Sequence, residues 1–402
     1  MNLRKILIIA LFAFITFGFG FGIYYLFFRP LGRAPEEVAP GARPVARPGL
    51  APAAPGAPRP PERLGAPSGA PSAVARGGLT AASVVVSAPT IGTTISSDGS
   101  TLLSYDRSSG KFIRLREDGT AVELSGKTFL NVQNVLWAKD GKRAVIEFPD
   151  GSNIVYDFEA EKSVTLPKHW EDFDFSPDGG KIVGKSLGID AENRWLVTVD
   201  ADGSNARVLE PLGDNANKVK ISWSPNNQVV AFSDTGRELG LSRNEILLIG
   251  LNGENFKGLE TAGLDFRPLW SPSGRRLLWS THSGATGYRP QLWTALASGD
   301  EIGAGRRSFN LSTWADKCAF ADENIIYCAV PKTMPEGIGF QPSLSADTAD
   351  LIYRLDLETG ANQLIAEPEG AYSINKLIVS KNERLLYFTD TGTQAVHRIK
   401  LQ

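Results

Sequence analysis

From about residue 83 to the C-terminus, apolar and polar positions alternate in runs of five to eight residues bounded by turn-forming residues. This is the period-2 signature of half-buried β-strands. One unit recurs: an aromatic ends a short strand, a Ser-Pro-Ser-Gly-type turn follows, and an apolar strand leaves it. It reads WSPSGRRLLW at 270–279, WSPNNQVVAF at 223–232 and FSPDGGKIVG at 175–184. WAKDGKRAVI (137–146) and ISSDGSTLLS (95–104) are looser copies, and FADENIIYC (320–328) and VSKNERLLYF (379–388) are degenerate. Proline presets φ at the second turn position and glycine accepts positive φ, so the turn has a local cause.

The first residues of the seven units, Ile95, Trp137, Phe175, Trp223, Trp270, Phe320 and Val379, are spaced by 42, 38, 48, 47, 50 and 59 residues. That is the period of four-stranded propeller blades. The expectation is an all-β, seven-bladed propeller over residues 79–402. The last unit ends one strand short, and SVVVSAP at 83–89 has no partner of its own, so it is predicted to complete the seventh blade and seal the ring. Trp137, Trp223 and Trp270, at equivalent places, read as core wedges between blades.

Two other compositions precede this body. Residues 6–28 are 23 residues without a charge, enough to span a hydrocarbon core of about 30 Å as a helix. The alternative is a cleaved signal peptide, whose apolar run is normally shorter and followed by a small-x-small site, absent after Phe28. No cysteine follows closely, which excludes a bacterial lipoprotein. The reading is therefore an N-terminal membrane anchor (1–28), with the body outside the cytoplasm of a bacterial cell, on the inner or cytoplasmic membrane. Residues 29–78 hold 12 of the chain's 25 prolines and no aromatics, a linker of Pro, Ala and Arg that spans up to roughly 150 Å if extended.

The net charge of −2 argues against a nucleic-acid partner. Residues 1–78 carry nine of the 42 Lys+Arg and three of the 44 Asp+Glu, so the remaining 33 against 41 leave the body near −8.

The W/F-S-P-D/N/S-G/N turn with its following strand resembles the WD-like repeat of TolB-type propellers. The resemblance covers residues 83–402 and implies a fold rather than an activity. TolB-like proteins carry an α/β domain before the propeller, where this chain has an apolar segment and a linker, so their role in the Tol-Pal system is not carried over. Prolyl-oligopeptidase relatives add a hydrolase domain, and the chain has neither G-x-S-x-G nor room for one.

With strands A to D in each blade, the B–C loops and the D–A crossovers share one face, and the repeated A–B turns lie on the other. The B–C loops are short in blades 1, 2 and 7 and long in blades 3 to 6, longest at 331–349. Residues that bind tend to sit on loops held by a rigid scaffold, and Arg and large aromatics are enriched at interface hot spots. The candidates are Arg194, Arg237, Arg243, His282, Tyr288, Arg289, Met334 and Phe340, with His169, Trp170, Trp314 and Tyr372 on crossovers of the same face; free drift of loop length would produce the same pattern. The function expected is a tethered scaffold that binds a protein or a cell-envelope polymer through this face. The alternative is a propeller enzyme of lactonase, lyase or glycosidase type, with its site at the channel mouth.

No catalytic motif or cofactor motif is present. The three histidines (His169, His282, His397) lie in separate repeats without metal-ligand spacing, and the sialidase Asp-box is not met. Asp172 and Asp174 flank a strand near the channel; they would bind a cation, act as acid and base, or serve the blade's own hydrogen bonding. Cys318 and Cys328, the chain's two cysteines, are symmetric about Glu323 in a degenerate turn. Counting outward places them directly opposite, within disulfide reach; two buried thiols are the other outcome.

Overall fold

The computed structural model describes Gly18, residues 70–240 and residues 242–402. Apart from Gly18, the apolar run 6–28 and the linker up to residue 69 lie outside the described residues, and the membrane expectation with them.

Seven antiparallel sheets follow one another around a central channel, each of four consecutive strands or built on four. In the third blade these are Trp170–Phe175, Lys181–Leu187, Arg194–Asp200 and Arg207–Pro211, from channel to rim. The turn between the inner two explains the repeat. Ser176 Oγ accepts the N–H of Lys181 at 2.8 Å, Asp178 accepts the N–H of Gly180 at 3.0 Å, and Gly179 takes φ 69°. Serine thus bridges the turn while the aspartate caps it. Asn227 at φ 65° and Gly274 at φ 72° fill the glycine's place in the next two blades.

Apolar side chains of neighbouring blades interlock. Phe232, Leu248, Phe266, Leu277 and Trp279 fill one such core, between the fourth and fifth blades. Each fully buried side chain of this size is worth roughly 1.5–3 kcal/mol. Trp223 is 1% exposed and Trp137 8%, and Trp270 stacks on Phe232 at 5.3 Å, which places all three as wedges.

The ring closes as the sequence predicts. Strand β1 is Gly78–Thr80 and strand β2 is Ser83–Val86. β2 pairs antiparallel with Val396–Lys400 and becomes the outer strand of the seventh blade. Val86 joins Leu102, Leu115, Ile378, Tyr387 and Val396 in the core across the seam.

Two strands are additions to the expected plan, and one expected pairing is met. β1 pairs in parallel with Asn362–Pro368, adding a fifth strand to the sixth blade. Residues 72–78, read in the sequence as linker, belong to this addition. The Gly77 N–H donates to the carbonyl of Ile365, and that of Ala75 to the carbonyl of Lys400, both at 2.8 Å. The long loop of the fourth blade contains a further strand, Glu238–Gly240. In the sixth blade Cys318 lies opposite Cys328 in the register counted from the sequence, and a disulfide joins them.

Candidate functional site

The long loops of the fifth and sixth blades clasp each other. Residues 283–289 form a 3-10 turn capped by Ser283 and Thr286, after which Gly287 and Tyr288 both take positive φ. Residues 332–349 form two 3-10 turns, Ile338–Phe340 and Pro342–Ser345. Three hydrogen bonds lock one loop to the other. Gly337 N–H donates to the carbonyl of Gly287 at 2.9 Å, Gly339 N–H to that of Tyr288 at 2.8 Å, and Arg289 Nε to that of Met334 at 2.6 Å. The loops are therefore a built surface.

Three rings meet on it. Phe340 lies 4.7 Å from Tyr288 and 4.8 Å from His282, centroid to centroid. Phe340 is 60% exposed and neighbouring Leu344 57%, with Tyr288 at 38%, whereas His282 is 4% exposed beneath them. Nε2 of His282 is buried with no hydrogen-bond partner among the described residues, and burial lowers its pKa. No side chain fits over it at position 339, where a Cβ would stand 2.4 Å from His282 Cγ. The result is an apolar step of Tyr288, Phe340 and Leu344 on a neutral histidine.

Inside the step, a charged belt crosses the channel wall from blade four to blade seven. Lys220 contacts Asp265 at 3.2 Å, Asp265 takes Arg267 at 2.7 Å, and Arg267 reaches Asp316 at 2.8 Å. The Arg267 guanidinium lies 5.9 Å from the centre of the Trp314 ring. Lys317 and Asp350 form a buried pair at 2.8 Å, and Asp350 also accepts the N–H of Ile374. Burial raises the Asp350 carboxyl, and Lys317 opposes that shift.

The sequence candidates thus fall into groups. His282, Tyr288, Arg289, Met334 and Phe340 come together. Arg194, Arg237 and Arg243 do not join them. Arg194 donates to the carbonyls of Gly188 and Ile189, Arg237 grips Glu245, and Arg243 pairs with Glu260. Trp170, which begins the inner strand of its blade, and Trp314, which precedes the 3-10 turn Ala315–Lys317, are buried side chains rather than surface contacts, at 8% and 3% exposure. Tyr372 packs on His397 and Phe388 at 4.4 and 5.3 Å. His169 is exposed and contributes its carbonyl to Leu187 N–H.

The acidic pair near the channel divides as well. Asp174 accepts the N–H of Phe175 and of Trp223, stapling the third blade to the fourth, and burial raises its pKa. Asp172, at φ 52°, pairs with Lys185 at 2.6 Å. Among the described residues no group of three or more His, Cys, Asp or Glu has metal-site geometry.

Sequence reasoning missed the opposite side of the face, where the loops are short. Hollows of about 620 and 460 Å³ open there. The shortness itself was the signal, since missing loop bulk leaves space.

No protein-family profile matches the chain, and no curated protein matches it. Solved structures are similar in fold. The β-propeller domain of Myceliophteria thermophila Cps50 (Swd1) aligns with a TM-score of 0.55 at 13% identity, over 80% of this chain and 100% of that one. An oligogalacturonate lyase from Vibrio parahaemolyticus aligns at 0.52 and 13%, over 80% and 91%. An oligogalacturonate lyase in complex with manganese aligns at 0.53 and 12%, over 80% and 90%. At such identities the likeness establishes the seven-bladed fold alone.

Proposed function

We propose that the protein is a tethered scaffold, held to the membrane by residues 6–28, whose propeller lies outside the cytoplasm and binds a protein or envelope polymer. The loop-rich face of blades three to six is the contact surface. One observation carries this reading: Tyr288, Phe340 and Leu344 expose an apolar step on two hydrogen-bonded loops. A rigid exposed aromatic pair loses little entropy on binding, which is why such residues dominate interface energetics. The oxidised Cys318–Cys328 pair suits an oxidising compartment. The TolB-like kinship of the repeat belongs to the same reading.

The test is recovery of partners from native membranes after crosslinking. A Tyr288→Ala/Phe340→Ala/Leu344→Ser variant with an unchanged melting temperature should recover the main partner at least tenfold less well. Equal recovery overturns the reading.

A second reading, an enzyme of lyase or glycosidase type at the channel mouth, has one observation in its favour. Burial, then the nearby Asp172 and Glu171, raises the pKa of Glu147, while Asn134 opposes the shift with a hydrogen bond at 2.9 Å. A raised carboxyl is what a general acid requires. Loss of turnover of an acidic or neutral oligosaccharide in Glu147→Gln would favour it; absence of turnover in the wild type removes it.

A further inference from the structure

The two hollows on the short-loop side share Arg107 and Gln133, so they join into one groove. It runs from Leu130 and Phe148, between blades one and two, inward to Asn375 and Lys376 on the channel wall of blade seven. The short turns of blades one, two and seven leave it open to solvent.

Its chemistry is uneven. The side chain of Lys376 is exposed where it lines the hollow, and among the described residues no carboxylate pairs with it. Desolvation by the neighbouring protein lowers its pKa. Arg107 spends one N–H on Gln394 at 3.1 Å and keeps the rest. Two carboxylates also line the groove. Asp150 is paired with Lys168, whereas Asp390 accepts only the N–H and hydroxyl of Thr393 and keeps its charge. Against that single unpaired carboxylate stand Lys376 and Arg107, so the balance of the groove is cationic.

Between the cations stand amides and hydroxyls: Gln133, Asn134, Asn375 and Thr391. Leu130, 69% exposed, offers an apolar patch at the outer end. A ligand matching this wall carries a carboxylate for Lys376, hydroxyls for the amides, and a ring face for Leu130. We propose that this groove binds a linear oligosaccharide of uronic acids, its carboxylate at Lys376. The site is separate from the aromatic step and stands or falls independently of it.

The test is calorimetric titration of the full-length protein in detergent with trigalacturonate, maltotriose and triglutamate. Trigalacturonate should bind saturably. Maltotriose lacks the carboxylate and triglutamate the hydroxyls, and each should bind at least tenfold more weakly. Lys376→Met should cost at least tenfold for trigalacturonate, and Lys376→Arg should restore most of it, both with unchanged melting temperatures. Should Lys376→Met fail to fold, Arg107→Gln, on the exposed rim, should weaken trigalacturonate at least threefold. Triglutamate binding as well as trigalacturonate would make this a peptide site and overturn the proposal. No saturable heat with trigalacturonate, or equal affinity in the folded Lys376 and Arg107 variants, would also overturn it.

Discussion

Reducing the Cys318–Cys328 bridge should lower the melting temperature by about 4 °C. The bridge joins residues 10 apart in sequence. A loop of that size removes roughly 9 cal/mol/K from the unfolded chain, or about 2.7 kcal/mol at 25 °C. The reduced sulfurs would remain among Leu278, Leu292, Phe309 and Leu355, where thiols pack as small apolar groups, so little packing is lost. Unfolding entropy of about 2.1 cal/mol/K per residue over the described body gives roughly 0.7 kcal/mol per degree, hence the shift. Scanning calorimetry of the full chain with and without a phosphine reductant measures it, with thiol counting before and after. Two freely alkylated thiols in the unreduced protein would refute the bridge. A complete reduction that moves the melting point by less than 1 °C would refute the loop-entropy argument.

Removing residues 1–71 should leave the melting of the propeller unchanged, because the first ladder contacts begin at Ser72. Removal through residue 81 takes away the β1 ladder, about 2–4 kcal/mol, and removal through 87 opens the ring and should abolish cooperative melting. In Gly339→Ala the new methyl collides with His282, so the two loops should part, read as faster amide exchange at 337 and 339 with the blades still protected. Burial depresses both His282 and His397 below their unfolded value of about 6.5. Each then adds stability that is complete above that pH and lost as pH falls through it toward the folded value. Melting temperature should fall between pH 7.5 and 5.5, and His282→Leu should remove part of that slope; an unchanged slope would count against a titrating His282.

Local causes were legible in the chain. The Ser-Pro-Asp-Gly turns announce themselves because serine, aspartate and glycine each act within five residues. The Cys318–Cys328 register follows from the midpoint of one hairpin. β2 was found by counting strands. β1 was not, because Gly-Leu-Thr has no alternation to read and its parallel pairing is decided by a blade almost 300 residues away. The candidate face was only partly legible. Loop length located Tyr288 and Phe340, but His282 ends a strand and Trp170 begins one, so both point inward. Arg194, Arg237 and Arg243 looked free because their partners, Asp214, Glu245 and Glu260, give no sequence sign of pairing.

The seam also sets a timetable. Val84 and Val86 leave the ribosome more than 300 residues before Val396 and His397, the residues they pair with. At ordinary synthesis rates of about 5–20 residues per second, β2 waits at least 15 seconds with its edge unpaired. Blades one to six assemble from neighbouring sequence in that interval, but the three other strands of blade seven, from Ile374 to Lys400, do not exist until the chain is nearly complete. An unpaired apolar strand held so long is a template for wrong pairing, including exchange with a second nascent chain. Vulnerability is thus concentrated at birth, and a factor that shelters 83–86 during synthesis would matter more to yield than any contact in the finished ring.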